Sequence, residues 1–355
     1  MTTNHSSTTV PSIVCESFGL YPVASVEPIN NGLINSSYKI ALADGKLYFL
    51  QQINTSVFKA PLALQMNYLL IEQHLSASGR IVLPKLVETE SRNLLFEHEQ
   101  KNWRCFEFFN HTYTPQIIET PEQAYEVANC FGLFTSLLHN FDSRKLETVL
   151  PNFHDLHFRY TEFKASLQQA SAKRTAAVAH LIQNIEDNKE LVAWYVKISS
   201  DSTAYPLHIL HHDCKVSNVL FDKNTHTVRC PIDLDTTQPG LFFSDIGDMI
   251  RTIVPNKNEN DTEIENLQIR SVYFEAVLNG YLDAMAACLT VEEKEQLPTA
   301  GMMMIYMQAM RFLTDYLNGD VYYKTEYEDQ NKDRAANQLQ LLRLLQEFIK
   351  DKTNR

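Results

Sequence analysis

The spacing of apolar residues changes character near residue 110. Before that point, short apolar runs are separated by turn residues; after it, apolar residues recur at three- and four-residue intervals. Asp44-Gly45 between Ser37–Leu42 and Lys46–Ile53 predicts a hairpin. Residues 60–76 read as one helix, with Leu62, Met66, Leu69, Leu70 and Leu75 as its apolar stripe. Strand-like runs follow at Ile81–Glu88, Asn93–His98 and Trp103–Phe109, the last two joined by a polar turn over Glu99–Asn102. Pro121 then opens a helix in which Ala124, Val127, Ala128, Phe131, Phe134 and Leu138 share a face. Two helices are expected over 155–196, and others over 263–289, 291–318 and 331–351. Short apolar runs lie at Leu207–Leu210, Val219–Phe221 and Val228–Leu234. The pattern implies an α+β chain: a small strand-rich N-lobe over 13–110 and a larger, mainly helical C-lobe over 111–355, with residues 1–12 as a tail. A cleft between unequal lobes would suit a small molecule.

Charge and cysteine usage narrow the partners. A formal net charge of −12, with no Lys/Arg cluster, disfavours duplex nucleic acid and anionic membrane surfaces. Only 10 glycines in 355 residues argue against a glycine-looped dinucleotide site. The cysteines at 15, 105, 130, 214, 230 and 288 form no CxxC pair, so they read as reduced thiols of a cytoplasmic protein. The polar start MTTNHSSTTV lacks the apolar core of a signal peptide, and no apolar window approaches a membrane span.

One stretch carries chemistry. His211-His212-Asp213-Cys214-Lys215-Val216-Ser217-Asn218 holds His-x-Asp-x4-Asn before an apolar strand, and Ile232-Asp233-Leu234-Asp235 follows. Phosphoryl transfer needs one carboxylate to orient an acceptor hydroxyl and take its proton. It also needs an Asn and a second carboxylate to hold a divalent cation against nucleotide phosphates.

These residues resemble the aminoglycoside phosphotransferase and choline kinase group, which is protein-kinase-like. More closely, the chain resembles the N-acetylhexosamine 1-kinase branch. The pieces are Asn31-Gly32-Leu33-Ile34-Asn35, Tyr48–Asn54 with Val57-Phe58, Trp103-Arg104, and His212-Asp213 through Asp222. They continue through Ile232–Thr236, Pro239-Gly240, Asp245-x-Gly247-Asp248-x-x-Arg251, and Arg311 to Tyr322. The resemblance implies a two-lobed fold with an antiparallel-sheet N-lobe that binds nucleotide. It implies ATP and Mg2+ as cofactors, and a sugar as the substrate, in a monomer or dimer. By position, Asp213 becomes the catalytic base and Asn218 and Asp233 the metal ligands. Asn31, Gly32, Asn35 and Ser37 become the loop over the ATP phosphates, with Gln51 on the strand beyond. Leu33, Arg311 and Tyr322 join Asp213 at the sugar. The branch commonly has His where Leu33 stands, which would alter sugar preference. Protein kinases pair a third-strand Lys with a helix Glu; here that strand carries Gln51 and Gln52, and the next helix Gln65 and Asn67.

Other readings compete. The acidic charge suits a cationic acceptor such as an aminoglycoside, choline or another amino alcohol, and another free sugar would also fit. The absent Lys fits a nucleotide-binding regulator without turnover. His208, His211 and His212 beside Asp213 raise zinc. His211 is instead expected to orient the loop by bonding backbone. Asp245 and Asp248 read as helix N-terminal acids. Arg104 and Arg251 read as lobe-bracing salt bridges, and Arg311 as either an ion-paired helix residue or a ligand contact. His154-Asp155-x-His157 reads as a helix start without further role.

Overall fold

The computed structural model describes residues 10–29 and 34–353, which divide into two compact units. The first comprises the chain through Tyr113 with Arg144–Leu150 and Asp222–Thr225; the second comprises the remainder.

In the first unit, Val23–Ile29, Ser36–Leu42, Leu47–Ile53 and Lys101–Glu107 pair antiparallel in that order. The expected hairpin turns at Asp44-Gly45, where Gly45 has φ 86°. Alternate side chains Tyr38, Ile40 and Leu42 point into one core with Leu50, Trp103 and Cys105. A short helix at Ser12–Ser17, unexpected so near the tail, adds Val14 and Cys15 to that core. Glu99 and Gln100 both have positive φ, so the expected polar turn narrows to a two-residue turn between Phe96–His98 and Lys101–Glu107. Of the expected strand Ile81–Glu88, only Leu86–Val87 pairs. Pro84, which has no N–H to donate, precedes it.

The helix Pro61–Ser76 forms as expected, but with a different face inward. Leu64, Tyr68, Ile71 and Leu75 are buried, whereas Leu62 and Met66 are 57% and 41% exposed. Two polar anchors on the inner side set the rotation. Gln65 Oε1 accepts from Arg104 Nη1 at 3.0 Å, and Asn67 makes a two-way amide bridge to the Glu147 backbone. Losing buried hydrogen bonds costs more than exposing two apolar side chains in part.

The second unit is built around Val291–Leu317. This helix buries Met303, Met304, Tyr306, Met307, Met310, Phe312 and Leu313 against Phe243–Ile253, Leu156–Gln169 and Gln330–Thr353. Thr290 and Glu293 close its first turn as a capping box. Four helices, not the expected two, occupy 156–199: Leu156–Gln169, Ala172–Ala177, Ala179–Asp187 and Glu190–Ser199. Ala170 turns extended, and the Ser171 side chain caps the next helix, which breaks the run. Two small antiparallel pairs, His208–Leu210 with Gln238–Gly240 and Val219–Asp222 with Val228–Pro231, frame the sequence motif. The helices Ser271–Met285, Val291–Leu317 and Gln330–Thr353 correspond to the last three expected. Among the described residues no helix is long and apolar enough to cross a membrane.

Pro121–Leu137 packs on Ser271–Met285, with every predicted inner residue from Ala124 to Leu138 buried. At Gly280 a Cβ would collide with the Tyr125 carbonyl. Gly280→Ala should therefore destabilise the protein by about 1–3 kcal/mol, because the obstacle is backbone and cannot swing aside. A urea unfolding midpoint equal to that of wild type would contradict this contact.

Candidate functional site

The motif loop leaves the strand His208–Leu210 and runs over 211–215 into a short 3-10 turn, Val216–Asn218. His212 has φ 66°, a costly conformation for a residue with a side chain. Two buried carboxylates from the helix Phe243–Ile253 hold the loop. Asp245 accepts from the backbone N–H of His211 at 3.0 Å and of His212 at 2.8 Å; Asp248 accepts from Cys214 N–H at 2.9 Å. The sequence reading placed these acids on orphan amides of their own helix. The structure corrects that: the buried amides of a neighbouring loop take them. Burial raises the Asp248 pKa and outweighs its ion pair with Arg251.

His211 orients the loop as expected. Its Nε2–H donates to the Ile232 carbonyl at 2.9 Å, leaving Nδ1 to accept from Asp213 N–H at 3.3 Å. This ties Asp213 to the segment that carries Asp233.

Asp213 Oδ2 accepts from Lys215 Nζ at 2.7 Å and from Asn218 Nδ2 at 2.9 Å. Burial opposes ionisation of Asp213, but Lys215, His211 and Asn218 together overcome it and hold the carboxyl below its usual range. Burial likewise opposes the Lys215 charge, and Asp213 and then Asp233 reverse the effect, so its pKa rises.

Asn218 Nδ2 also donates to the Asp213 carbonyl at 3.0 Å. With both donor bonds turned toward Asp213, Asn218 Oδ1 takes no hydrogen bond from any described residue. Asp233 sits in the left-handed region, φ 63° and ψ 56°. An amide oxygen and a carboxylate are hard donors of the kind that would suit Mg2+. Among the described residues no group of three His, Cys, Asp or Glu side chains could hold a metal ion. The three histidines raised for zinc have other partners: His208 binds Glu293 at 2.9 Å, His211 binds Ile232 O, and His212 binds Ser244 and Gln238.

A second cluster lies along the same unit. His212 Nδ1 and His154 Nδ1 both meet Ser244 Oγ, at 2.7 and 2.5 Å. His154 stacks on Phe153, and the Phe153 ring faces the Arg311 guanidinium at 5.3 Å. Tyr322 and Tyr323 rings stand 5.9 and 5.6 Å from the same guanidinium. Arg311 Nη1 donates to Gln308 Oε1 at 3.1 Å, and no acid among the described residues pairs with it. Of the two readings offered for Arg311, the ion-paired one is removed. Asp315 accepts from the N–H groups of Val321, Tyr322 and Tyr323, which fixes the segment behind the ring pair; Tyr322 itself is 60% exposed.

In the first unit, Gln51 links Ser37 to Arg104: its Nε2 donates to Ser37 Oγ at 2.8 Å, and its Oε1 accepts from Arg104 Nε at 2.9 Å. Asn35 Oδ1 accepts from Asn54 N–H at 2.9 Å. Asn31, Gly32 and Leu33 lie outside the described residues. Arg104 hydrogen-bonds two amides of its own unit, Gln51 and Gln65. Arg251 does form salt bridges, to Asp248 and Glu259, all within the second unit.

Sequence reasoning assigned no role to Lys215, His154 or Phe153. Lys215 had a signal, since it follows Asp213 by two positions. His154 had none, because its partners are 58 and 90 residues away.

A sequence model described as “Phosphotransferase enzyme family” matches residues 25–286. Among solved structures, an aminoglycoside phosphotransferase from Alicyclobacillus acidocaldarius is 13% identical, with 97% of each chain covered and a TM-score of 0.60. A microcompartment-associated aminopropanol kinase is 15% identical, covering 97% of this chain and 99% of that one, with a TM-score of 0.59. A choline kinase from Cryptosporidium parvum is 14% identical, covering 93% and 91%, with a TM-score of 0.54. At these identities the likeness is one of fold, and it matches the antiparallel-sheet and mainly helical parts described above.

The charges around Asp213 give a prediction. Because its folded pKa is depressed, Asp213 contributes stability above the unfolded carboxylate value and loses it as pH falls through the lower folded value. Lys215→Met leaves burial unopposed by that cation, so the Asp213 titration should move up and the variant should lose stability at higher pH than wild type. Carboxyl 13C shifts during an acid titration measure this, and an unmoved Asp213 midpoint would refute the assignment of the shift to Lys215.

Proposed function

Because the chain belongs to the phosphotransferase enzyme family, we propose that it is an ATP-dependent cytoplasmic kinase for the anomeric hydroxyl of an N-acetylhexosamine, GlcNAc or GalNAc. The product would be the sugar 1-phosphate. The observation that carries the reading is Arg311: a guanidinium with no acid partner, walled by Phe153, Tyr322 and Tyr323. It belongs to the unit that carries Asp213. Such a site offers hydrogen-bond donors and apolar faces, which suit a neutral ring bearing oxygens and an acetyl group. A cationic acceptor such as choline or an aminoglycoside would meet like charge there. The intact Asp213, Asn218 and Lys215 hydrogen bonds favour turnover over a silent regulator.

Asp213 accepts the proton of the acceptor hydroxyl as that hydroxyl's oxygen attacks the γ-phosphorus. The bond from that phosphorus to the bridging oxygen breaks, and ADP departs with the electron pair. Keeping Asp213 ionised is therefore a catalytic requirement, and Lys215 serves it. Asn218 Oδ1 and Asp233 would hold Mg2+, which supplies charge neutralisation at the phosphates. Residues 13–110 bind nucleotide, through Asn31, Gly32, Asn35 and Ser37 at the phosphates and Gln51 behind them. Residues 111–355 carry catalysis and the acceptor, with Arg311 and Tyr322 on the sugar. Leu33, in the place of the branch's His, widens the range of sugars accepted.

Asp213→Asn should lower turnover by roughly 10²-fold or more while ATP affinity stays near wild type, since the base acts on the acceptor. Isothermal titration with ATP beside a coupled ADP assay separates the two effects; near-normal turnover in the purified variant would sink the assignment. Phosphorus NMR of the product should show coupling to the anomeric proton, and Arg311→Ala should raise the sugar KM far more than the ATP KM. A reducing product bearing a 6-phosphate would remove the anomeric assignment and leave the kinase reading standing.

A further inference from the structure

One arrangement of protons satisfies the hydrogen bonds around Ser244. The Gln238 carbonyl can only accept, so His212 donates to it from Nε2–H at 3.1 Å. Burial pushes the His212 pKa down, and the ring is neutral, so its Nδ1 is a bare acceptor. In it the Ser244 hydroxyl donates to His212 Nδ1, and its oxygen accepts from His154 Nδ1–H, so neither imidazole Nδ1 is left without a partner. Burial, then the neighbouring His212 and Arg311, push His154 well below its usual pKa as well, so it too is neutral. One nitrogen is left over. His154 Nε2 carries a lone pair, and no described residue donates to it. His154 is only half-buried, and Nε2 is absent from the fully enclosed unpaired atoms, so it keeps some exposure.

The placement is rigid. His154 stacks on Phe153 with centroids 4.4 Å apart and meets the His212 ring edge-on at 5.2 Å. His212 is in turn seated against Gly240, where any Cβ would overlap its ring. The chain of bonds ends one residue from Asp213. Phe153 joins the same imidazole to Arg311.

We infer that His154 is an acceptor-binding residue whose Nε2 takes a hydrogen bond from a neutral donor on the substrate, a ring hydroxyl or an amide N–H. The inference rests on the kinase reading and adds its complement: Arg311 can only donate, and His154 Nε2 can only accept. Together they select a neutral molecule that carries both kinds of group. A cationic amine would meet the Arg311 charge without an acid among these side chains to neutralise it.

Two variants separate binding from support. His154→Asn keeps an amide N–H near the Nδ1 position for Ser244 and removes the group at Nε2. His154→Gln reaches the Nε2 position with its amide oxygen and gives up the bond to Ser244. If His154 binds substrate, His154→Asn should raise the acceptor KM about tenfold, with a much smaller change in the ATP KM. His154→Gln should recover most of that loss. If His154 only supports His212 through Ser244, the order reverses and kcat falls instead, which overturns the inference. Wild-type turnover is measured first on GlcNAc, GalNAc, glucose, choline and an aminoglycoside. Turnover of choline or the aminoglycoside alone refutes the neutral-donor inference while the kinase reading survives. Turnover of no acceptor refutes both.

Discussion

The geometry of the second unit depends on burying two carboxylates to hold three backbone amides. A loop with a positive-φ residue at His212 cannot satisfy its own N–H groups by regular pairing. Asp245 and Asp248 satisfy them from the adjacent helix, and a charged acceptor makes a stronger bond than a carbonyl. The cost is desolvation of two acids, visible in the raised pKa of Asp248. Arg251 offsets part of it, and Glu259 shares that guanidinium. The strained backbone at His212 is thus held by surrounding structure.

Charge balance follows from that arrangement. Asp213, Asp233 and Asp248 all act on Lys215, which remains protonated against its own desolvation. Its ammonium is the local counterion for the carboxylate of Asp213, the proposed base. Asn218 completes the set, since spending both donor bonds on Asp213 turns its carbonyl oxygen outward. One side chain thereby orients the proposed base and presents a ligand atom. The same economy appears in the first unit, where Gln51 joins Ser37 to Arg104. Arg104 lies directly opposite Gln51 on the next strand and is anchored to the helix by Gln65. Protein kinases achieve a comparable strand-to-helix tie with a Lys–Glu pair. Here the cation stands one strand over and neutral amides bind it.

Local signals in the sequence were read correctly where local physics decides the outcome. Asp44-Gly45 requires a tight turn, Pro121 starts a helix, and His-x-Asp-x4-Asn runs straight into the strand Val219–Asp222. The reading failed where distant partners decide. The face of Pro61–Ser76 was misjudged because Gln65 and Asn67, polar by composition, are anchored inward by Arg104 and Glu147. Asp245 and Asp248 were assigned to the amides nearest in sequence, whereas their partners lie 33 or 34 residues upstream. His154 offered no pattern at all; its role depends on Ser244 and His212, which only the fold brings together.

Overall charge and local charge point in opposite directions, and distance settles which one a substrate reads. A net charge of −12 suggests attraction for cationic acceptors. Yet charges separated by more than a Debye length, about 8 Å at physiological ionic strength, are largely screened. Within that range of the proposed acceptor cluster stand the unpaired guanidinium of Arg311 and two neutral imidazoles, His154 and His212. The acids nearest the loop are already engaged: Asp245 by backbone amides, Asp248 by Cys214 and Arg251, and Asp213 by Lys215 and Asn218. The surface can therefore be acidic while the proposed site favours a neutral ring. The contacts that discriminate are directional: a guanidinium fork that donates, a ring nitrogen that accepts, and aromatic faces between them.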